Sequence, residues 1–183
     1  MANLVTPKFR VSFPKVFKAE INKLNGKAEY SVVALFSKGE DMKALNAAVD
    51  AAINEKWPDL AKRPKNLRMP LRDQGEKAKE GQLPAGHAEG AMFLNLKSKN
   101  KPGVVDENVQ PIIDESQFYP GCYAIASVSV YAYDQAGNRG VGIGLTNIQK
   151  VADGEPFSGR PTAEATFKPV AQAAGGSAET LFN

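Results

Sequence analysis

Small apolar side chains alternate with aromatic and hydroxyl side chains along the stretch from Cys122 to Tyr133. One side of this pattern carries Ala124, Ala126, Val128, Val130 and Ala132, and the other carries Tyr123, Ile125, Ser127, Ser129, Tyr131 and Tyr133. Because successive side chains of a strand point to opposite faces, the pattern predicts a strand with a small face on the core and tyrosines on an accessible surface. That surface suits the stacking of flat ligands, and it equally suits cross-strand aromatic pairs that only stabilise the sheet.

The same period of two predicts further strands in the first two thirds of the chain. Residues 8 to 13 place Phe9, Val11 and Phe13 on a core face, and the strand is expected to end near Pro14. Residues 28 to 37 follow a turn at Asn25-Gly26 and complete a hairpin, and residues 92 to 99 form another strand with Phe93 facing away from the core. Short edge strands are expected at 104–105 and 109–113. Residues 40 to 56 change to a helical period, which predicts the main helix.

The positions of glycine and proline indicate the structure of the remaining segments. Residues 59 to 90 have no sustained period and form a long connection, of the kind that is often functional. In the last predicted strand, 139 to 150, Gly140, Gly142 and Gly144 share one face, which indicates either the close approach of another group or a barrel corner. After Asp153 the chain is poor in apolar residues, so we expect it to pack little.

These elements predict a mainly β protein with an OB-fold, a five-stranded Greek-key barrel with one main α-helix and long loops. A domain over residues 1–167 and a flexible C-terminal tail over 168–183 are expected. The chain has 183 residues, of which 43% are hydrophobic, and it contains neither a long apolar run nor an apolar N-terminal stretch. We therefore expect a cytoplasmic protein with no membrane contact. One cysteine and one histidine leave no Cys/His zinc site within the chain, and no metal or cofactor is expected.

Positive charge is concentrated in three segments, although the net charge is only +3. Residues 1 to 38 hold seven lysines and arginines against two acids, and two further clusters fall at 62–72 and 97–101. If the fold brings these segments together, they form one positive groove for a polyanion. The alternative is that each lysine only solvates the surface.

Aromatic and basic side chains on the same strand faces are what single-stranded nucleic acid requires. Flat rings stack on unpaired bases, lysines and arginines neutralise phosphates, and duplex DNA exposes no base faces to such a surface. The predicted contact residues are Arg10, Lys15, Arg68, Arg72, Phe93, Asn95, Lys97, Lys99, Lys101, Tyr123, Tyr131, Tyr133 and Arg139. Changing Lys97 or Arg10 to alanine is expected to reduce the salt dependence of binding by about one counterion each.

Several motifs carry a resemblance to a known family. They are the segments 98–106, 110–112, 118–123, 131–134, 137–141, 144–147 and 153–156. Together they resemble a tailed-phage single-stranded-DNA-binding family with an OB fold, first catalogued as a domain of unknown function. The resemblance covers residues 8 to about 167, and it implies a non-catalytic role in phage replication, recombination or repair.

The resemblance also implies a tail that docks partner proteins. Leu181 and Phe182 are the candidate docking residues, although a Leu-Phe pair here equally fits an unselected end of the chain. The expected partners are single-stranded DNA, phage replication or recombination proteins and, for a homodimer, a second copy of the chain. Residues 168 to 183 contain Glu179 as their one acidic side chain, in contrast to the strongly acidic tails common among single-strand binders. We therefore expect little competition between this tail and DNA.

Two other functions remain open on the sequence alone. A metal-dependent nuclease would use Asp73, Glu76, Asp106 and Asp114, which all lie in predicted loops rather than on one rigid surface. A structural or adaptor protein of the virion would bind protein partners and no oligonucleotide.

Overall fold

The computed structural model describes residues 2–157 and 163–170. Its strands are β1 (Ala2–Val5), β2 (Phe9–Ile21), β3 (Ala28–Leu35), β4 (Arg72–Asp73), β5 (Met92–Ser98), β6 (Gly103–Val105), β7 (Tyr123–Gln135) and β8 (Asn138–Ala152). Its helices are α1 (Lys43–Lys56) and the single turn α2 (Ala163–Thr166), with short 3-10 helices at Gln74–Lys77 and Glu115–Gln117.

Five of the strands close into a barrel. β2 pairs with β3, β3 with β5 and β7 with both β2 and β8, all antiparallel, while β5 and β8 close the ring in parallel. This is the five-stranded OB barrel that the sequence predicts. β1, β4 and β6 are short additions on β7, β5 and β8.

The barrel interior is filled by the apolar side of the alternating strands. Val32 and Ala34 of β3, Leu94 and Leu96 of β5, and Val128 of β7 are buried in one core. Helix α1 packs against β7, β1 and β8 and adds its apolar stripe to the same core. No described helix is both long and apolar enough to cross a bilayer.

Strand β2 departs from its prediction at Phe13. The strand continues past Pro14 to Ile21, and its pairing with β3 shifts register between Ser12 and Lys15. Phe13 has a φ of 45° at this bulge, and its side chain is 54% exposed instead of lying in the core. A bulge inserts an extra residue and inverts the faces beyond it, and it also accommodates a proline without a ladder N–H.

Two further strand predictions need correction. Residues 109 to 113 form no strand, because Val109 has a φ of 62° and the segment contributes one isolated bridge, between Val105 and Pro111. β1 lies in a segment for which no strand was predicted. It is too short for alternation to be recognised.

The long connection is ordered by one buried side chain. Gln74 donates from Nε2 to the carbonyls of Phe36 and Met92, and its Oε1 accepts from the N–H of Ala88. Because these bonds tie the start and the end of residues 74–91 to the barrel, this part of the connection covers one region of the outer sheet surface.

The C-terminal segment also packs beyond Asp153. The Phe157 N–H donates to the Pro120 carbonyl, and the Tyr119 hydroxyl lies 2.9 Å from Asp153 Oδ1. A Cβ added to Gly86 would lie within 2.1 Å of the Phe157 ring, so the ring rests directly on the backbone of the long connection. The expectation that little packs after Asp153 is therefore wrong up to residue 157.

Candidate nucleic-acid interface

A continuous outer surface of the barrel carries several of the predicted contact residues. Register places Lys15 opposite Ser31, Ser31 opposite Lys97, and Lys97 opposite Gly144, while Asn95 lies opposite Val33. Cross-strand partners share a face, so these side chains lie together outside the core. We call this surface the open face, and it comprises Lys15, Ser31, Val33, Asn95, Lys97, Tyr131, Gly142 and Gly144.

Tyr131 lies flat on the glycines of β8. A Cβ on its partner Gly142 would be 2.6 Å from the Tyr131 Cζ, and a Cβ on Gly144 would be 3.7 Å from its Cε1. The missing side chains therefore leave room for the ring, which explains the glycine stripe as a close approach. Tyr131 remains 41% exposed, so it presents a ring surface to solvent. Burial, followed by the charges of Tyr133 and Glu29, raises the pKa of its hydroxyl.

Arg68 and Tyr133 extend this surface at Gly140. The N–H of Arg68 donates to the Arg139 carbonyl and its carbonyl accepts from the Val141 N–H, so the chain around Arg68 runs beside β8. A Cβ on Gly140 would collide with the Arg68 carbonyl and would lie 2.9 Å from the Tyr133 hydroxyl. The basic segment around Arg68 is thereby brought to the same surface as the tyrosines.

Phe13, which the sequence pattern assigns to the core, is instead exposed next to the open face. Its exposed ring lies 6.3 Å from the ring of His87, which the long connection supplies. Since Phe13 occupies the bulge next to Ser12, and Ser12 pairs with Val33 of the open face, the two rings stand at the border of that face. The non-core assignment could have been suspected from Pro14, which favours a bulge at this point.

Phe93 does not offer a stacking surface, contrary to expectation. Its side chain is 0% exposed, with Arg72 and Lys77 lying 5.3 and 4.8 Å from the ring centroid. The long connection supplies both cations, and Arg72 also pairs with Glu76. Phe93 and Arg72 therefore hold the connection on the barrel, although the strand face of Phe93 was assigned correctly.

Arg10 and Tyr123 lie in a separate cluster. Arg10 donates to the carbonyls of Gly121 and Glu155, at 3.2 and 2.6 Å, and its guanidinium lies over the rings of Tyr123 and Phe157. Eight residues of strand, about 26 Å, separate Tyr123 from Tyr131. The predicted tyrosine platform is therefore divided, and Arg10 already donates to two backbone carbonyls.

The six predicted contact cations other than Arg10 and Arg72 fall into two groups. Lys15 pairs with Glu20, Lys97 with Glu29 and Arg139 with Asp134. Arg68, Lys99 and Lys101 form no ion pair with any residue that the structure describes. A phosphate that approached the second group would displace no carboxylate.

The acids of the nuclease alternative have other partners. Asp73 accepts from the N–H groups of Gly75 and Gly90, Asp106 from those of Asn108 and Gln110, and Asp114 from that of Ser116. Within residues 2–157 and 163–170, no three His, Cys, Asp or Glu side chains are grouped so as to hold a metal ion. The docking residues Leu181 and Phe182 lie outside the described residues.

Comparison with known proteins gives one family. The family model described as "Enterobacter phage Enc34, ssDNA-binding protein" matches residues 2–177. "Putative protein p50" of Acyrthosiphon pisum secondary endosymbiont phage 1 is 30% identical over 162 residues, which cover 82% of this chain and 83% of that protein.

Two solved structures share the fold. The single-stranded DNA-binding protein of bacteriophage Enc34, in complex with ssDNA, superposes with a TM-score of 0.65 at 18% identity, covering 85% of this chain and 89% of that one. The single-stranded DNA-binding protein gp2.5 of bacteriophage T7 gives 0.56 at 15% identity, covering 87% and 97%.

Proposed function

The chain belongs to the Enterobacter phage Enc34 ssDNA-binding protein family, and we propose that it binds single-stranded DNA along the open face of its barrel. The observation that carries this proposal is the exposed Tyr131 ring, fixed on the Gly142 and Gly144 backbone beside Lys97. A ring held in this way is preorganised, so little side-chain entropy is lost when a base stacks on it.

Binding combines stacking with phosphate neutralisation. Bases stack on Tyr131 and on Phe13 at the border, each contact contributing about 1–3 kcal/mol, while the sugar-phosphate backbone follows Arg68, Lys99 and Lys101. Stacking accepts every base, so binding is largely independent of sequence. The activity serves phage DNA replication, recombination or repair in the host cytoplasm, without catalysis.

Titration of a fluorescent oligo-dT with the purified protein at several salt concentrations tests this function, with a matching duplex as competitor. Salt-sensitive binding that the duplex competes poorly is expected. Three unpaired cations give a slope of log K against log salt of about −2, whereas all six cations described above would give about −4. The paired cations contribute less, because the displaced carboxylate stays near the DNA and offsets their charge. Absence of binding at low salt would refute the function.

The tail and the oligomeric state are further parts of the proposal. We expect residues Leu181 and Phe182 to dock phage replication or recombination proteins, and a homodimer is a candidate assembly beside the monomer. Because the tail has almost no acidic charge, deleting residues 169–183 should leave the dissociation constant for oligo-dT within about twofold. A large gain in affinity on deletion would contradict this expectation.

A further inference from the structure

A pocket of about 290 Å³ opens at one end of the open face, where the β2–β3 hairpin turns. Ser31 and Lys97 of the open face line it, together with Asn22 and Glu29. Its wall therefore places a carboxylate beside an ammonium group.

Glu29 is held in the pocket by three groups. Asn22 and Asn25 each donate to one of its carboxylate oxygens at 2.8 Å, and the Lys97 Nζ lies 3.5 Å away. Burial alone raises the pKa of Glu29, but the two amide hydrogen bonds and the charge of Lys97 outweigh it and hold the pKa below its ordinary value. The side chain is 14% exposed, and two carboxylate oxygens accept about four hydrogen bonds, so acceptor capacity remains.

Lys97 connects the pocket to the strand on which the Tyr131 ring rests. Lys97 pairs in register with Gly144, against which the Cε1 edge of the ring lies. The charge of Glu29 is one of the causes that raise the pKa of the Tyr131 hydroxyl, after burial and the charge of Tyr133. A base that stacked on Tyr131 with one edge over Gly144 would bring that edge to the side of the ring on which Lys97 and its partner Glu29 lie.

We propose that Glu29 accepts a hydrogen bond from the exocyclic amino group of the base stacked on Tyr131, so that this position favours cytosine, adenine or guanine over thymine. This inference rests on the proposed single-stranded-DNA binding. Thymine is the DNA base without an exocyclic amino group, and its one ring donor, N3–H, lies between two carbonyl oxygens that repel a carboxylate. Lys97 donates to an acceptor on the same base edge. One such position gives a modest preference within binding that otherwise tolerates any sequence.

The test compares two oligonucleotides that differ at the base edge alone. Oligo-dT and oligo-5-methyl-dC of equal length share the ring methyl group, but only the second carries an amino group. Wild type should bind the 5-methyl-dC oligonucleotide about three- to tenfold more tightly, as expected for one hydrogen bond. In Glu29→Gln the ratio should fall towards one, while binding to oligo-dT persists and gains from the release of Lys97.

The matched control is Glu20→Gln, which removes the same charge from the lining of the same pocket. Glu20 pairs with Lys15 and its side chain is 57% exposed, so the wild-type ratio should be kept. A ratio that is equal in wild type and Glu29→Gln would overturn the inference, with DNA binding itself intact. Failure of wild type to bind either oligonucleotide would instead refute the proposed function.

A change in the DNA avoids any effect of the variant on folding. Methylating the cytosine amino group twice removes both of its N–H donors. Wild type should then bind the N4,N4-dimethyl oligonucleotide no better than oligo-dT. Retention of the full preference would show that ring stacking, and not the Glu29 carboxylate, distinguishes the bases.

Discussion

Replacing Gly142 by alanine should weaken DNA binding although this residue has no side chain to contact DNA. The new Cβ would lie 2.6 Å from the Tyr131 Cζ, 2.7 Å from its hydroxyl oxygen and 2.9 Å from its Cε2. Carbon atoms pack best at about 3.5–4.0 Å, so the ring must withdraw by about 1 Å or rotate away from β8. In either case the fixed stacking surface is lost.

The magnitude follows from the stacking that the ring supplies. Removal of the ring in Tyr131→Ala should cost about 1–3 kcal/mol, which corresponds to an increase of about five- to 150-fold in the dissociation constant. Gly142→Ala displaces the ring without removing it, so its effect should fall between wild type and Tyr131→Ala. The slope of log K against log salt should stay unchanged in both variants, because no phosphate contact is altered.

Gly144→Ala is the matched control on the same strand and face. Its Cβ would be 3.7 Å from the Tyr131 Cε1, an ordinary contact, and 2.6 Å from the Ser129 Oγ, which can rotate away. Fluorescence anisotropy with oligo-dT measures all the variants, and urea denaturation confirms that each is folded. Affinity should be close to wild type in Gly144→Ala.

A double variant decides whether Gly142 acts through the ring. If it does, Gly142→Ala should add nothing to Tyr131→Ala, because the group that it displaces is already absent. Additive losses would refute the reasoning, and so would full affinity in Tyr131→Ala. Tyr131 would in the second case be a packing residue, as the alternative interpretation of its strand allows.

Three other contrasts follow from the structure. Phe93→Ala should lower the free energy of unfolding, measured in urea, by about 3–5 kcal/mol, because the ring is buried. Phe13→Ala should change stability little and weaken binding to oligo-dT. The reverse pattern would contradict a packing role for Phe93 and a stacking role for Phe13. Arg10→Ala should destabilise the fold and leave the slope of log K against log salt unchanged, because Arg10 donates to two backbone carbonyls. Lys99→Ala should make this slope shallower by about 0.7. Equal slopes in the two variants would contradict this difference. The fold lowers the pKa of Glu29. Its contribution to stability is therefore present above its ordinary pKa of 4.5 and is lost as the pH falls below that value. Urea denaturation should show that Glu29→Gln loses less stability than wild type between pH 7 and pH 3.

The barrel strands were predictable because alternation is a local property. Burial of one face and exposure of the other leave a period of two in the sequence, as in the alanine and valine series that begins at Ala124. The glycine stripe at Gly140, Gly142 and Gly144 likewise signals a close approach. Sequence could not tell whether a ring, a backbone or a barrel corner approached, since that depends on pairing between β7 and β8.

The surroundings of Phe13 and Phe93 could not be predicted from the local sequence pattern. The pattern assigned both rings by alternation, yet a bulge turned one outward and a distant segment covered the other. Neither event leaves a periodic signal, because a bulge breaks the period and the covering residues lie 15 or more positions earlier in the chain. Glu29 was missed for a similar reason: its amide partners are Asn25 in the turn and Asn22 before it, and only the folded hairpin brings them to the carboxylate.

The barrel carries two clusters of aromatic and basic side chains that are similar in composition. They differ in whether their groups remain free to contact DNA. Arg10 lies between two rings, but carbonyls of Gly121 and Glu155 already accept its hydrogen bonds. These two bonds use two of the five N–H donors of the guanidinium, and the two rings cover part of its surface, so a phosphate there would gain fewer contacts. Tyr131 has one face on glycine backbone and the other in solvent, so a base displaces only water. For this reason we place the DNA on the open face and not across Tyr123.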